Sequence, residues 1–278
     1  MALDQVDVDK APEKNMTFLE HIEELRWHIV RALAVIVVAA LVAFIYGKWL
    51  FNNVIFAPIQ TDFPLYRLFC KLSYIIYNTD KLCVEEIKFT AQNLTLSGQL
   101  MFHIVTALVF GFIAAFPYLL WEFWRFIRPA LKVKERKKTT GFVLITSFLF
   151  LVGISFGYYV LTPLSINFLA NYEVSEQIKN QFTIQSYISF ITTLTLASGL
   201  IFELPLIIYI LAKIGLITAD FLRKYRKHAV VIILVLSSVI TPPDIMSQVL
   251  LSIPIYFLFE IGIFIAHRIE KKNALATQ

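Results

Sequence analysis

Hydrophobic residues in this chain are gathered into long runs that contain no charge. No Asp, Glu, Lys or Arg occurs from Phe89 to Trp121, from Thr139 to Tyr172 or from Asn180 to Phe202. A helix needs roughly 20 such residues to cross the hydrocarbon core of a bilayer. The pattern therefore predicts an all-α protein with several membrane-spanning helices.

The uncharged runs predict six spans, with the last two helices short. The twelve residues of the fifth span cover only ~18 Å as a helix, against a hydrocarbon core of about 30 Å. This span either thins the bilayer locally or stops short of crossing it. The predicted spans are Ile29–Tyr46, Leu100–Leu120, Phe142–Leu161, Tyr187–Ala212, Ala229–Ile240 and Val249–Ala266.

The composition supports a polytopic membrane protein. The 278 residues are 58% hydrophobic and only 16% charged, whereas a soluble domain carries about 25% charged residues. A disordered chain and a nucleic-acid-binding protein are therefore excluded. Residues 1–14 mix acidic with basic side chains and lack the apolar core of a signal peptide, so no cleaved signal is expected.

The distribution of Lys and Arg predicts the orientation. Six spans put both termini on one side of the membrane, and most of the 25 basic residues lie on that side. By the positive-inside rule, both termini face the cytoplasm. The long loop at 62–88 then lies outside, and residues 269–278 form a cytoplasmic tail.

An amphipathic helix is predicted over 17–28, on the membrane surface, after a flexible tail over 1–16. Thr17–Glu20 reads Thr-Phe-Leu-Glu, a capping box that satisfies the first free amides of a helix. Apolar residues then recur at three- and four-residue spacing, and Glu20 and Glu24 lie on the opposite side. These carboxylates form a candidate cation site.

Local ion pairs are the alternative role for the acids of this helix. Glu24 has His28 one turn ahead, and Glu23 has Arg26 three residues ahead. Each such pair contributes only a few tenths of a kcal/mol.

Catalytic motifs are weak in this chain. Gly153–Gly157 matches the G-x-S-x-G pattern, but a nucleophile elbow needs a sharp strand-to-helix turn, and this pentapeptide lies inside an apolar helix. The two glycines instead predict a strip of small residues that lets another helix approach closely. Motifs for zinc or nucleotide binding are absent from the sequence. An enzyme is not expected, and no metal site or cofactor is predicted.

Two carboxylates fall within predicted spans, Glu203 in the fourth and Glu260 in the sixth. A carboxylate at the bilayer centre costs about 2.5 to 3.5 kcal/mol on insertion scales, so each should face protein, a hydrated cavity or a partner. A proton-coupled secondary transporter built around Glu203 is therefore an alternative function. A proton relay would need a second ionisable residue, and no neighbouring predicted span has one at the depth of Glu203.

Cys70 and Cys83 lie in the outside loop, thirteen residues apart. In an oxidising compartment they form a disulfide that staples the loop, or they remain two unrelated thiols. The sequence leaves both possibilities open.

Six motifs, in order along the chain, resemble the TatC family, the multispanning subunit of the twin-arginine protein translocase. The likeness covers the chain from about His21 to Arg268. It implies the glove-shaped fold of that family. The motifs are His21–Arg26, Phe56–Pro58, Phe126–Leu131 with Glu135-Arg136, Phe202–Pro205, Thr241–Asp244 with Ser247-Gln248, and Phe259–Gly262.

The resemblance implies that the chain binds the signal peptides of folded cargo. Glu24 and Glu135 would receive the paired arginines of the signal, with Arg26 and Phe126 beside them. A guanidinium offers a planar fork that a carboxylate accepts at both oxygens and that lysine cannot copy. Glu203 would be the buried glutamate of the family, facing a hydrated concavity.

Partners and transport also follow from the resemblance. Thr241 and Gln248 would form a polar cluster that binds the single-span TatA and TatB proteins. Export would use the proton-motive force across the bacterial inner membrane, and the receptor would self-associate. Further positions matched to functional or structural loops are Pro58, Pro129, Pro242, Pro243 and Asp244.

Overall fold

The computed structural model describes residues 18–78, 83, 91–127, 139–175, 180–241 and 245–276. Within these ranges the chain is almost entirely helical, and β1 (Ala91–Gln92) and β2 (Phe182–Thr183) pair in parallel, Ala91 with Phe182. The α-helices are α1 (Phe18–Ile45), α2 (Gly47–Leu50), α3 (Pro64–Tyr77), α4 (Gly98–Ile127), α5 (Thr139–Phe156), α6 (Thr162–Asn171), α7 (Ile184–Ile201), α8 (Leu204–Lys213), α9 (Ala219–Lys224), α10 (Arg226–Ile240) and α11 (Ile245–Ala276). π-Helices occupy Phe51–Ile55 and Gly157–Leu161, and a 3₁₀-helix occupies Ala57–Ile59.

Five stretches of helix in the described ranges are long and apolar enough to cross a membrane, which makes the chain a multi-pass membrane protein. Helix α10, which holds the predicted fifth span, is not among them, since its 15 residues cover only about 22 Å. The five stretches are Ile22–Ile45, Gly98–Ile127, Val143–Asn171, Ile184–Lys213 and Ser247–Lys272.

The prediction that both final helices are short is wrong for the last one. Helix α11 has 32 residues and continues beyond the predicted boundary at Ala266. The predicted boundary was set by the first charge, which marks the end of the apolar run and not the end of the helix. Glu, Lys and Arg are good helix formers, so residues 268–272 extend α11.

Helix α1 is unbroken, so the predicted amphipathic segment and the first span form one helix. It packs lengthwise against α4. The two helices approach closely at Gly111 of α4, where an added Cβ would lie 2.6 Å from the main-chain nitrogen of Ala40. Glycine at this position is therefore required by the packing of the two helices.

The glycines of the G-x-S-x-G pattern lie in a helical stretch that packs against α7, as predicted. A Cβ at Gly153 would lie 2.8 Å from the Ser198 carbonyl oxygen, and one at Gly157 would lie 2.9 Å from the Thr195 Cα. Both glycines permit close helix contact, and Ser155 lies within helix α5 and not on a turn.

The predicted fourth span contains a break that the sequence reasoning did not place. Helix α7 ends at Ile201 and α8 begins at Leu204, with Pro205 in the first turn of α8. Proline is accepted there because its missing N–H would have had no intrahelical partner. The break puts Glu203 at the junction of the two helices.

Tyrosine side chains anchor the loop that follows the first span. Tyr187 and Tyr158 donate hydrogen bonds to the carbonyls of Ile55 and Val54, each at 2.7 Å. Tyr66 donates to the carbonyls of Pro163 at 2.8 Å and Pro58 at 3.2 Å. Burial raises the pKa of the Tyr66 hydroxyl, which therefore stays protonated as a donor.

The long loop contains its own helix, α3, and a covalent staple. Cys70 on α3 and Cys83 are joined in a disulfide. Pro58, singled out from its motif, is buried in the 3₁₀-helix before α3. The loop is thus tied to the membrane core at its start and crosslinked farther along.

Candidate functional site

Glu24 lies half-buried on the first turns of α1, and Arg26 close by is exposed. The Glu24 Oε2 atom is buried without a hydrogen-bond partner among the residues that the structure describes. Within the same ranges no ion pair joins Glu24 to His28 or Glu23 to Arg26, so the local-pairing alternative is wrong. Glu24 therefore has a carboxylate oxygen whose hydrogen-bonding capacity is unused.

His28 pairs instead with Glu122 of α4, through its Nδ1 atom and the carboxylate Oε2. The two residues are only 6% and 2% exposed. The Tyr118 hydroxyl donates to the other carboxylate oxygen at 2.6 Å. The pair joins α1 to α4 about one helical turn from Glu24.

Sequence reasoning missed Glu122 because the predicted second span ended at Leu120. Helix α4 continues to Ile127, so both Glu122 and His28 lie within stretches that qualify as spans. The expectation that Glu203 and Glu260 were the carboxylates within spans was therefore incomplete. The sequence feature that could have indicated a buried Glu122 is its position between Trp121 and Phe123, directly after an apolar run.

An apolar groove of about 260 Å³ lies between α1 and α4 beside this pair. Leu25 and Ile29 line one wall, and Phe123 and Phe126 line the other. The Phe126 ring meets the His28 ring edge-on, with centroids 6.2 Å apart. The groove can hold an apolar side chain or segment, and Glu24 precedes its lining residue Leu25 on α1.

Several predicted site residues lie outside the described residues. They are Glu135, Pro129, Pro242, Pro243 and Asp244. Of the predicted signal-peptide residues, Phe126 lines the α1–α4 groove, and Glu24 and Arg26 flank its lining residue Leu25 in the sequence of α1 without lining it themselves.

Glu203 is buried at the α7–α8 junction, only 6% exposed. Neither carboxylate oxygen has a hydrogen-bond partner among the described residues. The hydroxyls of Thr195 and Ser198 are also buried without a partner in that part of the chain. The end of α7 therefore carries three buried polar side chains, those of Thr195, Ser198 and Glu203, whose hydrogen-bonding capacity the described residues do not satisfy.

Glu260, by contrast, is paired. Its carboxylate accepts hydrogen bonds from Arg226 at 2.7 Å and from the Tyr256 hydroxyl at 3.1 Å. This contact joins α11 to the first residue of α10. The ion pair with Arg226 explains how the Glu260 carboxylate is accommodated within a span, whereas the described residues provide no such partner for Glu203.

Thr241 and Gln248 lie on the hairpin formed by α10 and α11. The Thr241 hydroxyl donates to the Ser237 carbonyl at 2.8 Å, and the Gln248 amide donates to the Leu234 carbonyl at 3.1 Å. Thr241 also lines a cavity of about 450 Å³ with Tyr187. Both side chains are thus held against α10, and Thr241 is the one of the two that lines the cavity.

Comparison with known families gives a match over most of the chain. The family model described as Sec-independent protein translocase protein (TatC) matches residues 20–254. A protein of that name from Blattabacterium sp. subsp. Periplaneta americana is 40% identical over 263 residues, covering 94% of this chain and 99% of the relative. Another from Aquifex aeolicus is 31% identical, covering 93% and 98%.

Solved structures give the same match. One described as the crystal structure of the twin arginine translocase receptor TatC has a TM-score of 0.66 and 29% identity, covering 90% of this chain and 100% of the other. A second, in the detergent DDM, has a TM-score of 0.69 and 30% identity, covering 88% and 98%.

Proposed function

The chain belongs to the TatC family of Sec-independent protein translocase proteins, and we propose that it recognises the twin-arginine signal peptides of folded cargo. The family is a component of the twin-arginine translocase and is not known for catalysis. The two similar solved structures are described as translocase receptors, which supports a receptor role for this chain.

The observation that carries the proposal is the unpartnered oxygen of Glu24 on α1, next in sequence to Leu25, which lines the α1–α4 groove. A guanidinium of the signal peptide would supply the donors that this carboxylate lacks. Arginine fits better than lysine because its planar fork can bond both carboxylate oxygens. Glu135 would take the second arginine, with Arg26 at the rim of the site.

Carboxylate pairing alone gives too little affinity. Exposed ion pairs contribute ~0.2 to 1 kcal/mol each, and sheltered charged hydrogen bonds about 1.5 to 3. The apolar segment of the signal would supply the remainder by lying in the groove between Leu25 and Phe126. About 25 cal/mol is gained per Å² of apolar surface removed from water.

The chain would assemble with TatA-like and TatB-like single-span proteins in the bacterial inner membrane, self-associate, and use the proton-motive force. The α10–α11 hairpin with Thr241 and Gln248 would be the contact for these partners. A proton-coupled transporter is less well supported, because Glu203 has no ionised partner among the described residues with which to relay a proton.

Photo-crosslinking tests the receptor proposal. A twin-arginine signal peptide should crosslink to the wild-type protein and lose crosslinking in Glu24→Lys and in Glu135→Arg, each made alone. Glu23→Lys is the matched control, since Glu23 is the exposed neighbour of Glu24. Undiminished crosslinking in both site variants at equal protein levels would refute the receptor assignment.

A further inference from the structure

A second groove, separate from the α1–α4 groove, lies between α5, α8 and α11 and has a volume of about 570 Å³. Its walls are apolar, with Ile145 and Leu149 on α5, Leu206 on α8, and Leu258 and Ile261 on α11. Gly262 brings α11 directly against Ile208 of α8, because any added Cβ would collide with that side chain. The two helices thus form a continuous floor.

One end of the groove is basic. Lys213, at the end of α8, lines it together with Arg268 and Lys272 of α11, and no Asp or Glu is among the lining residues that the structure describes. Arg268 and Lys272 are four residues apart, so they share one face of α11 with Ile261 and Ile265. Lys213 donates to the Tyr209 hydroxyl at 3.1 Å, which holds its ammonium at the mouth of the groove.

The dimensions of the groove match one leaflet of a bilayer. The ten-residue step from Leu258 to Arg268 covers about 15 Å, half of a hydrocarbon core of about 30 Å. A transmembrane helix of a partner would need a surface along the full thickness, whereas a single lipid needs only one leaflet. The three cations then lie where lipid phosphates lie.

We propose that this groove binds one anionic phospholipid, with an acyl chain along Leu149 and Ile261 and the phosphate against Lys213, Arg268 and Lys272. Basic clusters at the ends of membrane helices attract anionic headgroups, and each Lys or Arg near the surface adds to that attraction. The lipid would fill the space between α5 and the paired helices α8 and α11. It would thereby support the buried junction at Glu203.

Native mass spectrometry of the detergent-purified full chain tests the proposal, with phosphatidylglycerol and phosphatidylcholine as the added lipids. The wild-type protein should retain one phosphatidylglycerol at least tenfold more tightly than phosphatidylcholine. The triple variant Lys213→Gln, Arg268→Gln, Lys272→Gln should lose that preference. A matched triple variant, Arg223→Gln, Lys224→Gln, Lys227→Gln, removes three cations outside the groove and should keep it.

A second variant tests the groove independently, in case the triple variant misfolds. Ile261→Trp fills the groove and leaves the three cations in place, so it should also lose the retained lipid. Equal retention of phosphatidylglycerol in the groove variants and the wild type would overturn the proposal. So would equal retention of the two lipids by the wild type, or a polypeptide found in the groove in place of lipid.

Discussion

The Glu122 carboxylate on α4 pairs with the His28 imidazole on α1, although 94 residues separate them in the sequence. Both side chains are buried, and Tyr118 completes the hydrogen bonding of the carboxylate. The contact fixes how α1 is rotated against α4. It therefore sets the direction in which Glu24, one turn earlier on α1, is presented.

Removing one member of the pair should destabilise the protein strongly. Breaking a buried pair costs about 3 to 5 kcal/mol because the remaining group stays buried without its charged partner. Glu122→Leu and His28→Leu should therefore each lower the free energy of unfolding in detergent. The double variant should be less destabilised than the sum of the two, since neither member of the pair is left without the other. Strictly additive losses would show that the two residues do not interact.

Glu203 and Glu260 should respond oppositely to the same substitution. Glu203→Leu removes a buried carboxylate without a partner among the described residues, and should raise the free energy of unfolding by about 1 kcal/mol or more. Glu260→Leu removes the partner of Arg226 and should lower it by up to about 1 kcal/mol, because that pair is partly exposed. Thermal unfolding of both variants in one detergent measures the contrast. Loss of stability in Glu203→Leu would mean that its carboxylate is satisfied.

Alanine at Gly153 should disrupt the contact between α5 and α7. The added Cβ would meet Phe202 and the Ser198 carbonyl at 2.8 Å, so a loss of about 1 to 3 kcal/mol is expected. Gly141→Ala, on the same helix, meets nothing within 4 Å and should gain up to about 1 kcal/mol from helix propensity. Equal effects of the two substitutions on the melting temperature would contradict the close packing of α5 against α7.

The Cys70–Cys83 disulfide should protect both thiols from alkylation in membranes that have not been reduced. After treatment with a reductant, both should become modifiable. The double variant Cys70→Ser, Cys83→Ser should lose about 2 to 4 kcal/mol of stability through greater freedom of the unfolded loop. Labelling of either cysteine before reduction would show that the bridge is absent.

Local patterns in the sequence predicted much of the fold. Charge-free runs identified five of the six predicted spans as helical stretches long and apolar enough to cross a membrane, and Gly153 with Gly157 identified a close helix contact. These features depend on neighbouring residues, whose spacing determines whether an apolar or small surface forms. The same reasoning misjudged the end of α11, because the end of an apolar run is not a helix stop signal.

Contacts between distant segments were not predictable in this way. Nothing near His28 in the sequence indicates that its partner is on α4, and the local pairing with Glu24 was the nearer possibility. The anchoring of the first outer loop by Tyr158 and Tyr187 likewise depends on helices that meet only in the folded chain. The α1–α4 groove exists because α1 and α4 pack together, which the sequence of either helix alone does not determine.

The most direct measurement compares the affinity of an Arg-Arg signal peptide with that of its Lys-Lys counterpart for the protein in lipid nanodiscs. The wild type should prefer Arg-Arg by roughly tenfold, since a bidentate contact to Glu24 is replaced by a single point charge. Glu24→Gln should bind the Arg-Arg peptide more weakly and lose most of the preference, with the remainder due to Glu135, and Glu23→Gln should retain the full preference. An undiminished preference in Glu24→Gln would contradict the assignment of Glu24 as the receptor for the paired arginines.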